Sequence, residues 1–181
     1  IYSAAYVLYE APLFISLMIA KSVYPIFVQS FQDNKIKFFE LYATLSSYMT
    51  LLSYLIVLFI VMFHEIIIQI TFGDSFEESG IILMLLAFGL IPMFNAFLRS
   101  SFITISGNQK IILYTSLASS ITNIILNIFM IRQYGIRGAV YATVITQTLS
   151  LLILNIAFRE TRKIFIIQVK SLLLLGIWRK Q

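Results

Sequence analysis

Hydrophobic residues run along this chain in long blocks that short polar segments separate. Five blocks are long enough to cross a bilayer, which takes about 20 residues of helix. The blocks are continuous rather than alternating, and this pattern predicts helices instead of the strands of a membrane barrel. The five predicted spans cover residues 4–28, 39–63, 80–102, 111–131 and 138–158.

A sixth apolar block, residues 164–178, is shorter and contains Lys170. It fits two structures equally: a truncated span, or an interfacial helix with Lys170, Arg179 and Lys180 at the lipid headgroups. The chain therefore divides into a transmembrane helical bundle at 1–163 and a terminal segment at 164–181.

The composition agrees with a membrane protein. Hydrophobic residues make up 60% of the chain and charged residues 12%, against about 25% charged in soluble domains. The net charge of +5 comes from cations between the apolar blocks, and this placement predicts topology signals rather than nucleic-acid binding. The predicted fold class is an all-α polytopic membrane protein.

The loops differ in charge from one side to the other. If alternate loops share a side, one side collects seven cations and the other only Arg132 and Arg137. The loop after the second span, residues 64–79, carries four carboxylates and no lysine or arginine. Because the cation-rich side normally faces the cytoplasm, the first residues are expected outside. The seven cations are Lys35, Lys37, Arg99, Lys110, Arg159, Arg162 and Lys163.

Several spans carry polar residues at steps of three or four, which places each set on one helix face. Small and polar side chains often serve helix packing. For Asn123, Asn127 and Gln147, cavity lining is an equal alternative. The set comprises Ser46, Thr50, Ser53, Ser116, Ser120, Asn123, Asn127, Thr143, Gln147 and Ser150.

Ionisable residues within spans are costly and usually face a bundle interior or an aqueous path. Glu10 and Lys21 lie on one face of the first span, about 16 Å apart along the axis, so they cannot pair directly. Lys21 has two interpretations, a functional cation or a side chain that snorkels to the interface. For Arg99, near the end of the third span, snorkelling is the leading interpretation.

Three prolines fall within the predicted spans, and each favours a kink because it removes a helix hydrogen bond. They are Pro12 and Pro25 in the first span and Pro92 in the third. Pro92 is the better hinge candidate. Pro25 is the second, although it is also a possible helix end.

The sequence offers little for catalysis. His64 is the single histidine and there is no cysteine, so neither a metal site nor any other cofactor is predicted. No phosphate-binding or metalloprotease motif is present. The chain is therefore predicted not to be an enzyme.

From the fourth span onward the sequence resembles the polysaccharide exporters of the O-antigen flippase type. Residues 123–127 read Asn-Ile-Ile-Leu-Asn, and residues 134–143 read Tyr-Gly-Ile-Arg-Gly-Ala-Val-Tyr-Ala-Thr. They resemble that family's pattern N-x-x-L-N followed by (Y/F)-G-I-x-G-A-A-x-A-T. Residues 72–76 (Phe-Gly-Asp-Ser-Phe), 106–110 (Ser-Gly-Asn-Gln-Lys) and 24–27 (Tyr-Pro-Ile-Phe) resemble three further segments. The family belongs to the superfamily of the lipid II flippases and the multidrug and toxin extrusion antiporters.

The resemblance implies most of the C-terminal lobe of a two-lobed transporter, with the N-terminal lobe in the missing part of the same chain. It implies movement of an undecaprenyl-diphosphate-linked oligosaccharide across a bacterial inner membrane by alternating access. The expected partners are this lipid-linked oligosaccharide, membrane lipids and the polysaccharide polymerase machinery. Glu10 is a candidate for ion coupling. By position, the cavity candidates are Lys21, Asn95, Arg99, Asn123, Asn127 and Gln147.

Three other hypotheses compete with a flippase. A cation-coupled drug antiporter would place acidic residues in the cavity, and the spans hold almost none apart from Glu10. A membrane-embedded glycan polymerase or acyltransferase would carry catalytic histidine or carboxylate clusters. A non-catalytic scaffold subunit would not need an intramembrane lysine or spans broken by proline.

Overall fold

The computed structural model describes residues 1–174, and within that range all side chains except those of residues 152–154. The regular structure of this part is entirely helical. The eight α-helices are α1 (Tyr2–Glu10), α2 (Leu13–Asp33), α3 (Lys35–Phe72), α4 (Glu78–Ala87), α5 (Leu90–Ile105), α6 (Gln109–Tyr134), α7 (Ile136–Ala157) and α8 (Arg162–Leu172).

Four stretches in this part of the chain are long and apolar enough to cross a membrane: Tyr2–Asp33, Lys35–Phe72, Gln109–Tyr134 and Ile136–Ala157. The pair α4 and α5 makes a fifth if it is taken as one bent span. All five predicted spans thus have a helical counterpart. This agrees with the coarse prediction of an all-helical chain of the multi-pass kind.

The largest difference in length concerns α3. The second span was expected to end at residue 63, but α3 continues to Phe72 and stops at Gly73. The sequence predicts that a loop begins at His64 and Glu65. The apolar run that follows them is compatible with helix, so two polar residues alone do not end it.

Two of the candidate spans are broken. Between α1 and α2 the helix is interrupted at Ala11 and Pro12, and between α4 and α5 at Phe88 and Gly89, where the two axes differ by 46°. The regular helix is interrupted at Pro12, but residues Tyr2–Asp33 form one candidate span, so a kink at this proline stays a prediction. Pro92 lies in the first turn of α5, where its missing N–H removes no helical hydrogen bond.

Pro25 behaves differently. α2 continues through Pro25 to Asp33, so the suggestion that this proline ends the helix is wrong. Its role as a hinge, like that of Pro92, stays a prediction.

The connection between α6 and α7 is the tightest turn. Gly135 has φ +57, a conformation that residues with a side chain rarely adopt. A Cβ on Gly138 would overlap the backbone carbonyl of Met130. These two glycines thus allow the chain to return closely from α6 into α7.

α8 runs alongside α3 in the same direction. Lys163 Nζ lies 5.2 Å from the ring centre of Phe39 at its start, and Tyr54 donates a hydrogen bond of 2.7 Å to the Leu172 carbonyl at its end. One side of α8 is buried against the bundle. A truncated span and an interfacial helix both stay open for this segment, and Arg179 and Lys180 lie outside the described residues.

The two ends of the bundle differ in charge. Aromatic contacts join Phe31, Phe38 and Phe102, which brings the loops after the first and third spans to one end. Lys163 packs there as well, so this end, called the basic end, also holds Lys35, Lys37 and Lys110. The other end, called the acidic end, holds the turn with Asp74, Glu77 and Glu78. The predicted alternation of loops is therefore observed.

Candidate functional site

α5 is the polar centre of the molecule, and two of its sides carry different kinds of polar surface. One side faces α3, α7 and α8 and forms a connected set of hydrogen bonds, called here the buried polar network. The other side faces α2 and borders an open groove, called the α2–α5 groove. The network comprises Tyr42, Ser46, Thr50, Asn95, Arg99, Asn155, Gln168 and Ser171. The groove is lined by Leu17, Ala20, Lys21, Tyr24, Phe97, Ser100, Ser101 and Thr104.

Asn95 is the first anchor of the network and is fully buried. Its amide accepts a hydrogen bond of 2.6 Å from the Ser46 hydroxyl and donates one of 2.9 Å to Thr50 Oγ1. The Ser171 hydroxyl of α8 lies 3.1 Å from Ser46 Oγ and 3.3 Å from Thr50 Oγ1. Three helices are therefore joined through four small polar side chains.

Asn155 and Gln168 extend the network toward the basic end. Asn155 Nδ2 donates a hydrogen bond of 2.7 Å to Gln168 Oε1. Gln168 Nε2 lies 3.3 Å from the Tyr42 hydroxyl and 3.4 Å from the Asn95 carbonyl. Thr161 completes the group by donating to the Asn155 carbonyl at 2.8 Å. Each amide thus bonds to more than one helix, which fixes the position of α8.

Arg99 brings a cation into this region. Its side chain is 8% exposed, so it does not snorkel to the end of the bundle, contrary to the leading expectation. Nη1 donates to the Ser150 carbonyl at 3.0 Å and lies 3.4 Å from Asn155 Oδ1. No carboxylate of the described residues lies within 4 Å of the guanidinium, and Nε lacks a hydrogen-bond partner among those residues. A neutral amide and a carbonyl therefore hold this charge.

The α2–α5 groove has a volume of about 300 Å³. Leu17, Ala20 and Phe97 form an apolar section, and the hydroxyls of Ser100 and Thr104 lie farther along α5 toward the basic end. Such a surface suits a ligand with one apolar part and one polar part.

Lys21 supplies the only charge among the residues that line the groove, and its side chain is exposed. Within the described part of the chain, no carboxylate lies within 4 Å of its ammonium group. Ser101 and Thr104 donate to carbonyls of their own helix, at 3.1 and 2.9 Å, so these hydroxyl protons are already used. The groove therefore offers a cation to an anionic group, but no acid–base pair for catalysis.

Gln147 occupies a third location, between the two helix breaks. Its Oε1 accepts a hydrogen bond of 3.0 Å from the Tyr9 hydroxyl. A Cβ on Gly89 would overlap this oxygen and would lie 3.2 Å from the Tyr9 hydroxyl. Glu10, next to the same break in the first span, is exposed. Gln147 thus fills the space that the glycine leaves open.

Asn123 and Asn127 belong to the contact between α6 and α7. Asn123 Nδ2 lies 3.4 Å from Thr146 Oγ1, and Asn127 Nδ2 donates to Asn123 Oδ1 at 2.9 Å. Both are half-buried. Nearby, Asn127 and Arg132 border a shallow groove on the outer side of α6.

The six predicted cavity residues therefore do not converge on one site. Asn95 and Arg99 lie in the network, Lys21 lies in the groove, and Gln147 lies at the helix breaks, with Asn123 and Asn127 at the α6–α7 contact. Their contact with a substrate stays a prediction. Sequence reasoning missed Asn155, Gln168 and Tyr42, although an isolated amide in an apolar run, as at 155, is itself a signal.

The described residues contain no group of three or more histidine, aspartate or glutamate side chains that could hold a metal ion. Comparisons of the chain with models of protein families, with curated proteins and with solved structures give no match.

Proposed function

We propose that this chain belongs to a transporter that moves an undecaprenyl-diphosphate-linked oligosaccharide from the inner to the outer leaflet of a bacterial inner membrane. The observation that carries the proposal is the α2–α5 groove, where Lys21 is exposed without a carboxylate partner beside hydroxyls and an apolar floor. A diphosphate on an isoprenoid chain has the matching chemistry, with negative charge next to an apolar tail.

The charge distribution supports an orientation. The basic end carries Lys35, Lys37, Lys110 and Lys163 and, by the positive-inside bias, faces the cytoplasm. The groove runs from the middle of the bundle toward that end, because Thr104 lies next to the end of α5 and Phe97 lies near its middle. A substrate made in the cytoplasmic leaflet would then meet the groove from its own side.

A second lobe belongs to this proposal. The resemblance places the present residues in the C-terminal lobe, and the N-terminal lobe would form the facing wall of the cavity. With a single cation in the groove, the second wall is expected to supply further positive charge for the diphosphate. Glu10, exposed beside a helix break, is the carboxylate assigned to ion coupling.

The test begins with deletion of the gene in its host and measurement of lipid-linked oligosaccharide on each leaflet of the inner membrane. Complete repeat units should accumulate on the cytoplasmic side, and surface polymer should be lost. Normal leaflet distribution with shortened or unmodified polymer would contradict the proposal and favour a polymerase or a scaffold subunit.

Lys21 is tested by complementation of the deletion strain. Lys21→Gln should lower the rate of flipping at least tenfold, and Lys21→Arg should restore most of it because the charge is retained. Lys110→Gln, which removes an exposed lysine at the basic end, is the matched control and should leave flipping unchanged. Equal activity of Lys21→Gln and the control would exclude Lys21 from the substrate path.

A further inference from the structure

The two broken spans pair with each other half by half. α1 packs along α4 and α2 packs along α5, whereas the two halves of each span make few contacts with one another. Ser79 of α4 donates to the Ile1 carbonyl at 3.0 Å, and Ser16 of α2 donates to the Phe94 carbonyl at 2.8 Å. Each half of one broken span thus packs mainly on the corresponding half of the other, while α4 also packs on α3 and α7.

Both breaks lie at the same level of the bundle. The Tyr9–Gln147 hydrogen bond brings the end of α1 to the middle of α7, and Gln147 Oε1 also occupies the space beside Gly89 at the start of α5. A backbone interruption removes the hydrogen bonds that make a helix stiff, and hinges are normally a few residues at element ends. Two breaks at one level allow a paired movement that a single break in one helix would not.

The continuous helix α3 provides the surface for such a movement. It packs against α4, α5 and α2 without interruption from Lys35 to Phe72. Where α4 begins at the acidic end, Gly80 lies against His64 and Glu65 with no side chain of its own. Farther along α4, Ile82, Leu83 and Leu86 are buried. A shift of the α1–α4 pair along α3 is therefore easiest at the Gly80 contact and must repack these three side chains.

We infer that the α1–α4 pair tilts as one body on the α2–α5 pair about the Ala11–Pro12 and Phe88–Gly89 breaks, and that the Tyr9–Gln147 hydrogen bond is the latch that holds the resting arrangement. Gln147 is a positioning residue in this scheme: it acts from α7 on both breaks. Gly89 keeps the space that Gln147 needs. The inference concerns movement alone and holds for any transported substrate, so its test does not measure transport.

The experiment measures distances between pairs of nitroxide labels by double electron–electron resonance in the full-length protein in liposomes. The sequence has no cysteine, so introduced cysteines in this region are labelled without background. All five labelled positions are exposed. Ser3–Arg137 reports the α1–α4 pair against α7, Gln29–Glu160 reports α2 against the end of α7, and Ser3–Ile81 reports distances within the α1–α4 pair.

Two latch variants are compared with the parent and with one control. Tyr9→Phe removes only the hydroxyl, and Gln147→Leu removes the acceptor. Thr148→Val is the control, since the Thr148 hydroxyl bonds within its own helix to the Val144 carbonyl at 2.8 Å. Because a hydrogen bond between membrane helices is modest, each latch variant should raise the population of a second Ser3–Arg137 distance about threefold relative to the first.

The Gln29–Glu160 and Ser3–Ile81 distances should stay unchanged in every variant, and Thr148→Val should match the parent throughout. An unchanged Ser3–Arg137 distribution in Tyr9→Phe would overturn the inference. So would a new distance within the Ser3–Ile81 pair, because the α1–α4 pair would then not move as one body. If the protein fails the leaflet test but shows these distance changes, the proposed substrate is wrong and the inferred hinge movement stands.

Discussion

The polar residues on the two sides of α5 are similar in kind but differ in burial and in hydrogen bonding. On the network side, Asn95 and Arg99 are buried and bonded to groups from three other helices. On the groove side, Lys21 faces Ser100 across open space, and no carboxylate of the described residues pairs with it. A cation occurs on each side, but only one of the two has its charge surrounded by protein.

The comparison shows two different roles for polar side chains in an apolar bundle. Polar groups that satisfy one another hold helices in register and have little left to offer a ligand. A charged group that stays exposed within a predicted span needs water, lipid or a ligand to solvate it. The groove is therefore the better candidate for function, although the network contains more of the residues that the sequence had suggested.

The largest effect on stability is expected from Asn155→Leu. It removes an oxygen near the buried Arg99 guanidinium and a donor to Gln168, and a hydrogen bond to a charged group contributes about 1.5–3 kcal/mol. The free energy of unfolding should fall by about 2 kcal/mol. Denaturant titration of the purified protein in detergent measures it.

A second substitution sharpens this result. Arg99→Met combined with Asn155→Leu should destabilise less than the sum of the two single changes, because the double variant no longer buries a cation that has lost its acceptor. Asn127→Leu on α6, half-buried in a two-helix contact, is the matched amide control and should cost less than Asn155→Leu. Additive single effects would show that Asn155 does not support Arg99.

A smaller effect is expected at Ser46. Ser46→Ala removes hydrogen bonds to Asn95 and Ser171 but leaves the Asn95–Thr50 bond in place. Interhelical hydrogen bonds in membrane proteins average about 0.6 kcal/mol, and the loss of stability should be of that size. The same titration measures this loss of stability. A loss as large as that of Asn155→Leu would show that the remaining hydrogen bonds of the network do not compensate for the missing Ser46 hydroxyl.

The smallest effect on stability is expected in the groove. Lys21→Gln should change the free energy of unfolding by less than about 0.5 kcal/mol, as exposed substitutions usually do. The same variant should lower flipping at least tenfold, so the two measurements together test the contrast between the sides of α5. A strongly destabilised Lys21→Gln would place Lys21 in the structure of the bundle rather than in a binding groove.

The fold was largely predictable because span length depends on local properties. Apolar blocks predict the five helical stretches, and Pro12 coincides with an interruption of the regular helix. The end of α3 was not predictable in the same way, since His64 and Glu65 interrupt the apolar pattern without interrupting the helix. The contact of Gly89 with the side chain of Gln147 joins residues far apart in the chain and could not be predicted from local pattern.

The candidate site was less predictable, because burial of a polar residue depends on its neighbours in space. Arg99 was expected to snorkel from its position near the end of a span, but its guanidinium reaches a carbonyl of α7 instead. Asn155 and Gln168 gave only a weak signal in the sequence, and their pairing depends on α8 lying against α3. For Lys21 the sequence leaves a functional cation and a snorkelling side chain as equal alternatives, and the groove beside it could be found only in the structure.

The place of α8 in the network has a consequence for biosynthesis. Ribosomes make α3 and α5 well before α8, so Ser46, Thr50 and Asn95 are synthesised before Gln168 and Ser171. Until then these three side chains can bond only with one another. Synthesis of α8 adds the contacts of Ser171 and Gln168, so the hydrogen bonds of this part of the bundle are complete only after its last described helix has been made.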